Sequence, residues 1–169
     1  MVEPQKEAPK FNVIVLGVIF NPSTRKILIG RRENDPHVPN LTWCFPGGRV
    51  EVDEDVNHTL KREIKLKTGY EVKNLGCIFS GVFQENQEFF NVYFLCEVFK
   101  GEEQAGDDIK ELKWVNPGEV EKYFETKIHK RLKEYLMNIQ AGSCCEFDKD
   151  LHEIGKGEDE TEEDSGEDD

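Results

Sequence analysis

The sequence predicts an α/β domain in which a mixed sheet carries packed helices, and three observations predict it. Runs of β-branched and aromatic residues recur at 12–20, 26–31, 75–83, 89–99 and 112–115. Two segments with helical spacing of apolar residues interrupt them, after Asp55 and after Asn116. No internal repeat is present, and 169 residues is the length of one ordinary domain, so the order β-β-(β)-α-β-β-β-α reads as one layered unit.

Each element has its own signal. Residues 12–20 (NVIVLGVIF) form a near-continuous apolar run, the mark of a strand buried on both faces. Asn21-Pro22-Ser23 is turn chemistry, and 26–31 (KILIGR) resumes as the second strand of a hairpin. Residues 34–40 hold two prolines and read as a loop; 43–45 is a short apolar stub that Pro46-Gly47-Gly48 breaks. From Asp55 to Lys67, Val56, Leu60 and Ile64 repeat every four residues and form one buried stripe of a helix, with Gly69 where a helix-terminating glycine belongs. Strands at 75–83 and 89–99 are joined by a polar turn, and the acidic loop GEEQAGDD (101–108) leads to a short strand at 112–115. Asn116-Pro117-Gly118-Glu119 has the pattern of a helix start. Val120, Phe124, Ile128, Leu132, Tyr135 and Ile139 supply one continuous apolar face for the helix that follows.

The formal charge of −13 is unevenly placed. Residues 156–169 hold one lysine and nine acids, a net of −8, which leaves −5 for the rest of the chain. The expected organisation is an N-terminal extension (1–10), a folded domain (11–141), a C-terminal segment (142–155) and a disordered acidic tail (156–169) that serves solubility. No clustered basic patch is present, so a nucleic-acid partner is not expected. No stretch approaches the roughly 20 apolar residues of a membrane helix, and residues 1–10 lack an apolar segment of signal type. A soluble, intracellular, cytoplasmic protein with no membrane partner is therefore expected. Of five cysteines, Cys44, Cys77 and Cys96 lie in apolar strand runs as small hydrophobes. Cys144 and Cys145 are adjacent in a loop, and no CxxC pairing points to zinc. His37, His58, His129 and His152 are scattered and take no assigned role.

The segment that carries chemistry is GRVEVDEDVNHTLKREIKLKTGY, from Gly48 to Tyr70. Five residues separate Gly48 from Glu54, seven more lead to Arg62-Glu63-Ile64, and Gly69-Tyr70 closes it. It resembles the box of the Nudix hydrolase family, G-x5-E-x7-R-E-U-x-E-E-x-G-U, where U is apolar. Gly48, Glu54, Arg62, Glu63, Ile64 and Gly69 match, with Tyr70 as a loose U. Leu66 and Lys67 stand where the pattern has two glutamates. Trp43-x-Phe45-Pro46-Gly47-Gly48 before the box and Lys113-Trp114-Val115 before a helix also resemble the family, so the likeness spans roughly residues 11–140.

The resemblance implies a Nudix-like α/β/α sandwich with a box loop and helix, acting on a nucleoside diphosphate linked to another group. It implies a cofactor, Mg²⁺ or Mn²⁺, held by Glu63 and the backbone of Gly48, with Glu54 and Arg62 in support. A base would come from a later loop, with Glu103 the candidate; Glu51, Glu102, Asp107 and Asp108 are further acids that could compensate for the box. Gly47, Gly48, Arg31, Arg32 and Lys67 are candidates for contact with phosphate. Phe83, Phe89 and Phe90 are aromatic candidates for stacking on a base or for the core.

The chemistry of the residues agrees in kind. Dense phosphate charge calls for a hard cation on oxygen ligands, and helical positions i, i+3 and i+4 can converge on one ion. A leucine donates nothing to such a site, and a lysine beside a divalent cation costs on the order of 4 kcal/mol per unit charge at about 4 Å. Lys67 either swings away, or its ammonium takes the cation's place and binds phosphate directly. A weakened, metal-dependent hydrolase is the first expectation. The alternative is a non-catalytic Nudix-like nucleotide-binding or regulatory module, and an isomerase on an isoprenoid diphosphate is the third. Substrate identity and oligomeric state are not written in the sequence.

Overall fold

The computed structural model describes residues 4 and 6–142. The acidic tail, Cys144, Cys145, His152 and all but the first residue of the 142–155 segment lie outside the described residues. Strands β1 (Asn12–Asn21), β2 (Lys26–Arg31), β3 (Trp43–Cys44) and β4 (Gly47–Arg49) precede helix α1 (Val56–Thr68). Strands β5 (Tyr70–Val82), β6 (Phe89–Gly101) and β7 (Glu111–Val115) follow, then a 3₁₀ turn at Pro117–Glu119 and helices α2 (Val120–Tyr123) and α3 (Lys130–Ala141).

The sheet runs β3-β2-β1-β6-β5, with β4 added to β1 and β7 to β2. Among the described residues only β1 and β6 pair in parallel; the other pairs are antiparallel, so the sheet is mixed. β1 meets β2 at Ile19, Phe20 and Asn21, whereas Ile14, Val15 and Leu16 face β4. The chain from Trp43 to Arg49 therefore bridges a gap between two diverging strands, touching β2 with one end and β1 with the other. This placement brings Gly47 and Gly48 to the centre of the molecule.

Alternation along β1 divides the core. Val15 and Ile19 face α1, where Leu60 and Ile64 complete a fully buried cluster with Leu28, Val72 and Cys96. Val18 faces the other side with Ile27, Ile29, Phe45, Val115, Val120, Leu132 and Leu136. Helices thus cover both faces, the α/β/α sandwich that the resemblance implied. No helix among the described residues is long and apolar enough to cross a membrane.

Four local expectations change. Pro46-Gly47-Gly48 does not simply break the chain: Gly47–Arg49 is a strand, possible because a Cβ on Gly47 would sit 1.9 Å from the Val15 carbonyl oxygen. β5 begins at Tyr70, not at 75, because Tyr70 and Val72 point inward while Glu71 and Lys73 alternate outward. The helix expected after Asn116 is broken. α2 stops at Tyr123, Phe124 turns extended, and α3 restarts after His129, whose side chain accepts from Arg131 N at 3.2 Å. Asn116 makes no side-chain cap. Cys77 is exposed rather than packed; its neighbouring register shifts twist that part of β5.

Gly69 ends α1 in the left-handed region at φ 79°, and a Cβ there would lie 2.1 Å from the Glu102 carbonyl oxygen. Gly69→Ala therefore meets both backbone strain and backbone collision. It should lower unfolding free energy by about 2–3 kcal/mol, read from urea denaturation.

A candidate diphosphate site with a lysine at its centre

Three backbone segments converge at the C-terminal half of α1. The helix puts Glu63 and Lys67 one turn apart on the same side. β4 lies against them with no side chain at Gly48, where a Cβ would stand 2.5 Å from the Glu63 carboxyl carbon. The loop after β6 folds back over the helix end: Gln104 N donates to Thr68 O at 2.8 Å and Gly106 N to Lys67 O at 3.1 Å. That strap carries Asp108 to the same point.

The side chain of Lys67 is only 7% exposed. Its ammonium donates to the Gly47 carbonyl oxygen at 2.5 Å. It lies 3.4 Å from Glu63 Oε2 and 3.5 Å from Asp108 Oδ1. The Asp108 oxygen is buried and makes no hydrogen bond, so its contact with Lys67 is ionic only. Leu66, by contrast, is 52% exposed.

Around this ammonium the charges alternate. Arg62 holds Glu54 through Nε at 3.2 Å and Nη2 at 2.9 Å, and reaches Glu63 with Nη1 at 3.0 Å. Asp108 also pairs with Arg32, which holds Asp35 at 2.9 Å. The sequence Glu54, Arg62, Glu63, Lys67, Asp108, Arg32, Asp35 is one chain of opposite charges. Each buried carboxylate has a cation beside it, as burial requires.

Two candidates fall elsewhere. Glu103 accepts from Trp114 Nε1 at 2.8 Å, beside the Tyr70 ring, and does not border the cavity described next; Asp108, not Glu103, is the loop acid beside the box. Arg31 is tied to Glu33 and Glu111 at the outer end of β2, and these contacts raise its pKa; Arg32 instead borders the cavity. The loop's own backbone bonds decide which acid arrives, and loop composition does not reveal them. Asn91, considered below, carried no signal beyond its polarity in an apolar run.

A cavity of about 260 Å³ opens from this point. Gly47, Gly48, Arg32, Asp35, Arg49, Lys67, Asn91 and Lys127 are among its polar lining residues, and Leu16, Val38, Phe45, Phe83, Phe89 and Phe124 form apolar walls. Phe90 is not among the lining residues, whereas Phe83 and Phe89 are. The break between α2 and α3 belongs here, since Phe124, Thr126, Lys127 and Ile128 of the non-helical connection line the cavity. Cys44 also lines it, but burial pushes its thiol up to about 11 against the pull of Arg32 and Lys67, which keeps it a neutral wall residue.

Divalent cations need several oxygen ligands around one point. Here the Gly47 carbonyl and two carboxylates surround an ammonium, and among the described residues no three His, Cys, Asp or Glu side chains converge to hold a metal ion. The residues as placed do not fit a bound divalent cation, because a fixed charge already takes up the ligands it would use.

Comparison with known proteins agrees with the fold and the family resemblance. A family model described as NUDIX domain matches residues 10–137. The chain is 38% identical over 91 residues to an ADP-ribose pyrophosphatase of Methanocaldococcus jannaschii, covering 51% of this chain and 52% of that protein, so the match spans about half of that relative's length. It is 30% identical over 125 residues to a MutT-like protein of Streptomyces ambofaciens, covering 71% and 75%. A crystal structure of a NUDIX hydrolase from Nitrosomonas europaea superposes with a TM-score of 0.64 at 19% identity, over 80% of this chain and 76% of that one.

Removing the central charge should unbalance its neighbours. Lys67→Met takes from Glu63 and Asp108 the buried cation they share and leaves each with a single arginine partner, Arg62 and Arg32. It should lower stability by about 3 kcal/mol, the low end for breaking a buried pair because Asp108 is partly exposed. Chemical denaturation of the variant beside wild type reads the difference.

Proposed function

The chain belongs to the Nudix hydrolase family, and from that membership we propose that it binds a nucleoside diphosphate linked to another group, using the Lys67 ammonium where a divalent cation would otherwise stand. One observation carries this reading: the buried ammonium sits among Gly47 O, Glu63 and Asp108 and borders the same cavity as the aromatic walls.

The chemistry follows from these groups. An anionic ligand entering beside Gly47 meets Lys67 and Arg32, the latter already paired with Asp35. Asp108 approaches Lys67 without a hydrogen bond, so a phosphate oxygen can take its place on the ammonium at little cost. Arg32, which also holds Asp35, can retain Asp108 while that exchange occurs. Glycine at 47 and 48 lets β4 lie against the Val15 carbonyl and the Glu63 carboxylate, which brings the Gly47 carbonyl to Lys67. The apolar walls suit a planar base or another ring. A fixed lysine supplies one positive charge and no coordinated water, so this arrangement favours holding a diphosphate over cleaving it.

A second reading is metal-assisted hydrolysis, with Mg²⁺ or Mn²⁺ as in the family at large. Glu54 and Glu63, retained and bridged by Arg62, favour it, as do the hydrolase names of the relatives. It requires Lys67 to leave its three partners.

Calorimetric titration with a panel of nucleoside diphosphate sugars and dinucleotides, with chelator or with Mg²⁺ or Mn²⁺, separates the two. Binding in chelator should fall within about threefold of binding with metal, with no phosphate-containing product released. Binding only with metal, together with release of products, would establish the hydrolase reading instead.

Lys67→Glu supplies a second readout. It should melt below wild type in chelator, where carboxylates crowd, and recover on addition of Mg²⁺ or Mn²⁺ by linkage. A variant whose melting temperature ignores metal would show that position 67 does not face the ligand set.

A further inference from the structure

This inference rests on the diphosphate-binding reading and extends it to the other end of the ligand. We propose that Asn91 reads the base, selecting a nucleoside diphosphate whose base carries an exocyclic amine.

Asn91 lies on β6, lines the cavity and is 5% exposed. Its Nδ2 donates to the Tyr93 hydroxyl at 3.3 Å. Its Oδ1 is buried and has no partner. Burial raises the Tyr93 pKa, so that hydroxyl stays protonated and remains a neutral partner for the amide nitrogen. With Nδ2 on the Tyr93 hydroxyl, the amide oxygen, an acceptor, is left without a partner in a side chain that lines the cavity. A buried acceptor without a donor costs about 1–3 kcal/mol, and native structures rarely leave one without cause. A ligand that brings an N–H recovers that loss.

Sheet geometry places this acceptor at a useful distance from the phosphate end. Arg49 on β4, Ile14 on β1 and Asn91 on β6 share one rung of the sheet, as do Gly48, Val15 and Val92 next to them. Asn91 is therefore two strand spacings, about 10 Å, from the strand that carries Gly48 and Arg49. One ribose separates a base from its phosphates across such a gap. Phe83 and Phe89 line the same cavity, and His37 meets the Phe89 ring edge-on at 5.6 Å, which gives a flat base aromatic surface beside the amide.

The free acceptor discriminates by chemistry. Adenine, guanine and cytosine offer an exocyclic amine to it. Uracil offers only a ring N–H between two carbonyls, which bring further acceptors towards Asn91. A purine lacking the amine offers nothing at that edge and leaves Oδ1 unpaired.

Titration of the full chain in chelator tests this with four probes: ADP, the 5′-diphosphate of purine riboside, UDP, and inorganic pyrophosphate as the base-free reference. Wild type should bind ADP about tenfold more tightly than the purine riboside diphosphate or UDP. Asn91→Leu should lose that preference and keep its affinity for pyrophosphate, since it removes the unpaired oxygen together with the Nδ2 bond to Tyr93 and touches nothing at the Lys67 end. If that variant fails to fold, the comparison of ligands on wild type still decides. Equal affinity of wild type for ADP and the purine riboside diphosphate, with pyrophosphate bound, would overturn the role of Asn91 and leave the diphosphate site standing. Failure of all four, pyrophosphate included, would overturn the diphosphate reading and this inference with it.

Discussion

A single buried ammonium organises the centre of this protein. Lys67 reaches from the last turn of α1 to the Gly47 carbonyl, between the carboxylates of Glu63 and Asp108. Each contact ties a different segment: β4 through Gly47, the helix through Glu63, and the loop after β6 through Asp108. A lysine is rarely buried unless its charge is met, and here it is met by groups that the rest of the fold delivers. Gly48 must lack a side chain for Glu63 to lie close, and Gly69 must lack one for the loop to turn over the helix end.

The same contacts explain how a box without its two glutamates keeps its shape. In water, two carboxylates and a carbonyl around one point would repel, and a cation is needed to hold them together. A divalent ion can supply that charge from solution, whereas Lys67 supplies it covalently and permanently. Arg62 and Arg32 extend the balance outward to Glu54 and Asp35. The departure at position 67 is thus compensated within the box itself, and the exposed leucine at 66 has no buried polar partner to satisfy.

Much of the fold was legible because its signals are local. Apolar runs marked β1, β2 and β6, the four-residue repeat of Val56, Leu60 and Ile64 marked α1, and Gly69 marked its end. The box spacing brought Glu54, Arg62 and Glu63 together correctly, since helix geometry and a short loop fix them. The sequence was less informative where long-range packing overrides local preference. Val120, Phe124 and Ile128 keep helical spacing, but the chain between α2 and α3 is not helical: Phe124 and Ile128 line a cavity, with Phe124 packed on Phe45 at 5.0 Å between ring centroids. The choice of Asp108 over Glu103 depends on two backbone hydrogen bonds that no side chain announces. The unpaired oxygen of Asn91 depends on a neighbour two residues away across the same strand face.

The claim that Lys67 holds the place of a metal ion has a direct structural test. Crystals of the full chain soaked in Mn²⁺, with diffraction recorded near the manganese absorption edge, locate the ion without reference to activity. The account expects no anomalous peak within bonding distance of Gly47 O, and a Lys67 side chain still directed at Glu63 and Asp108. A peak coordinated by Gly47 O and Glu63, with Lys67 displaced to solvent, would contradict it.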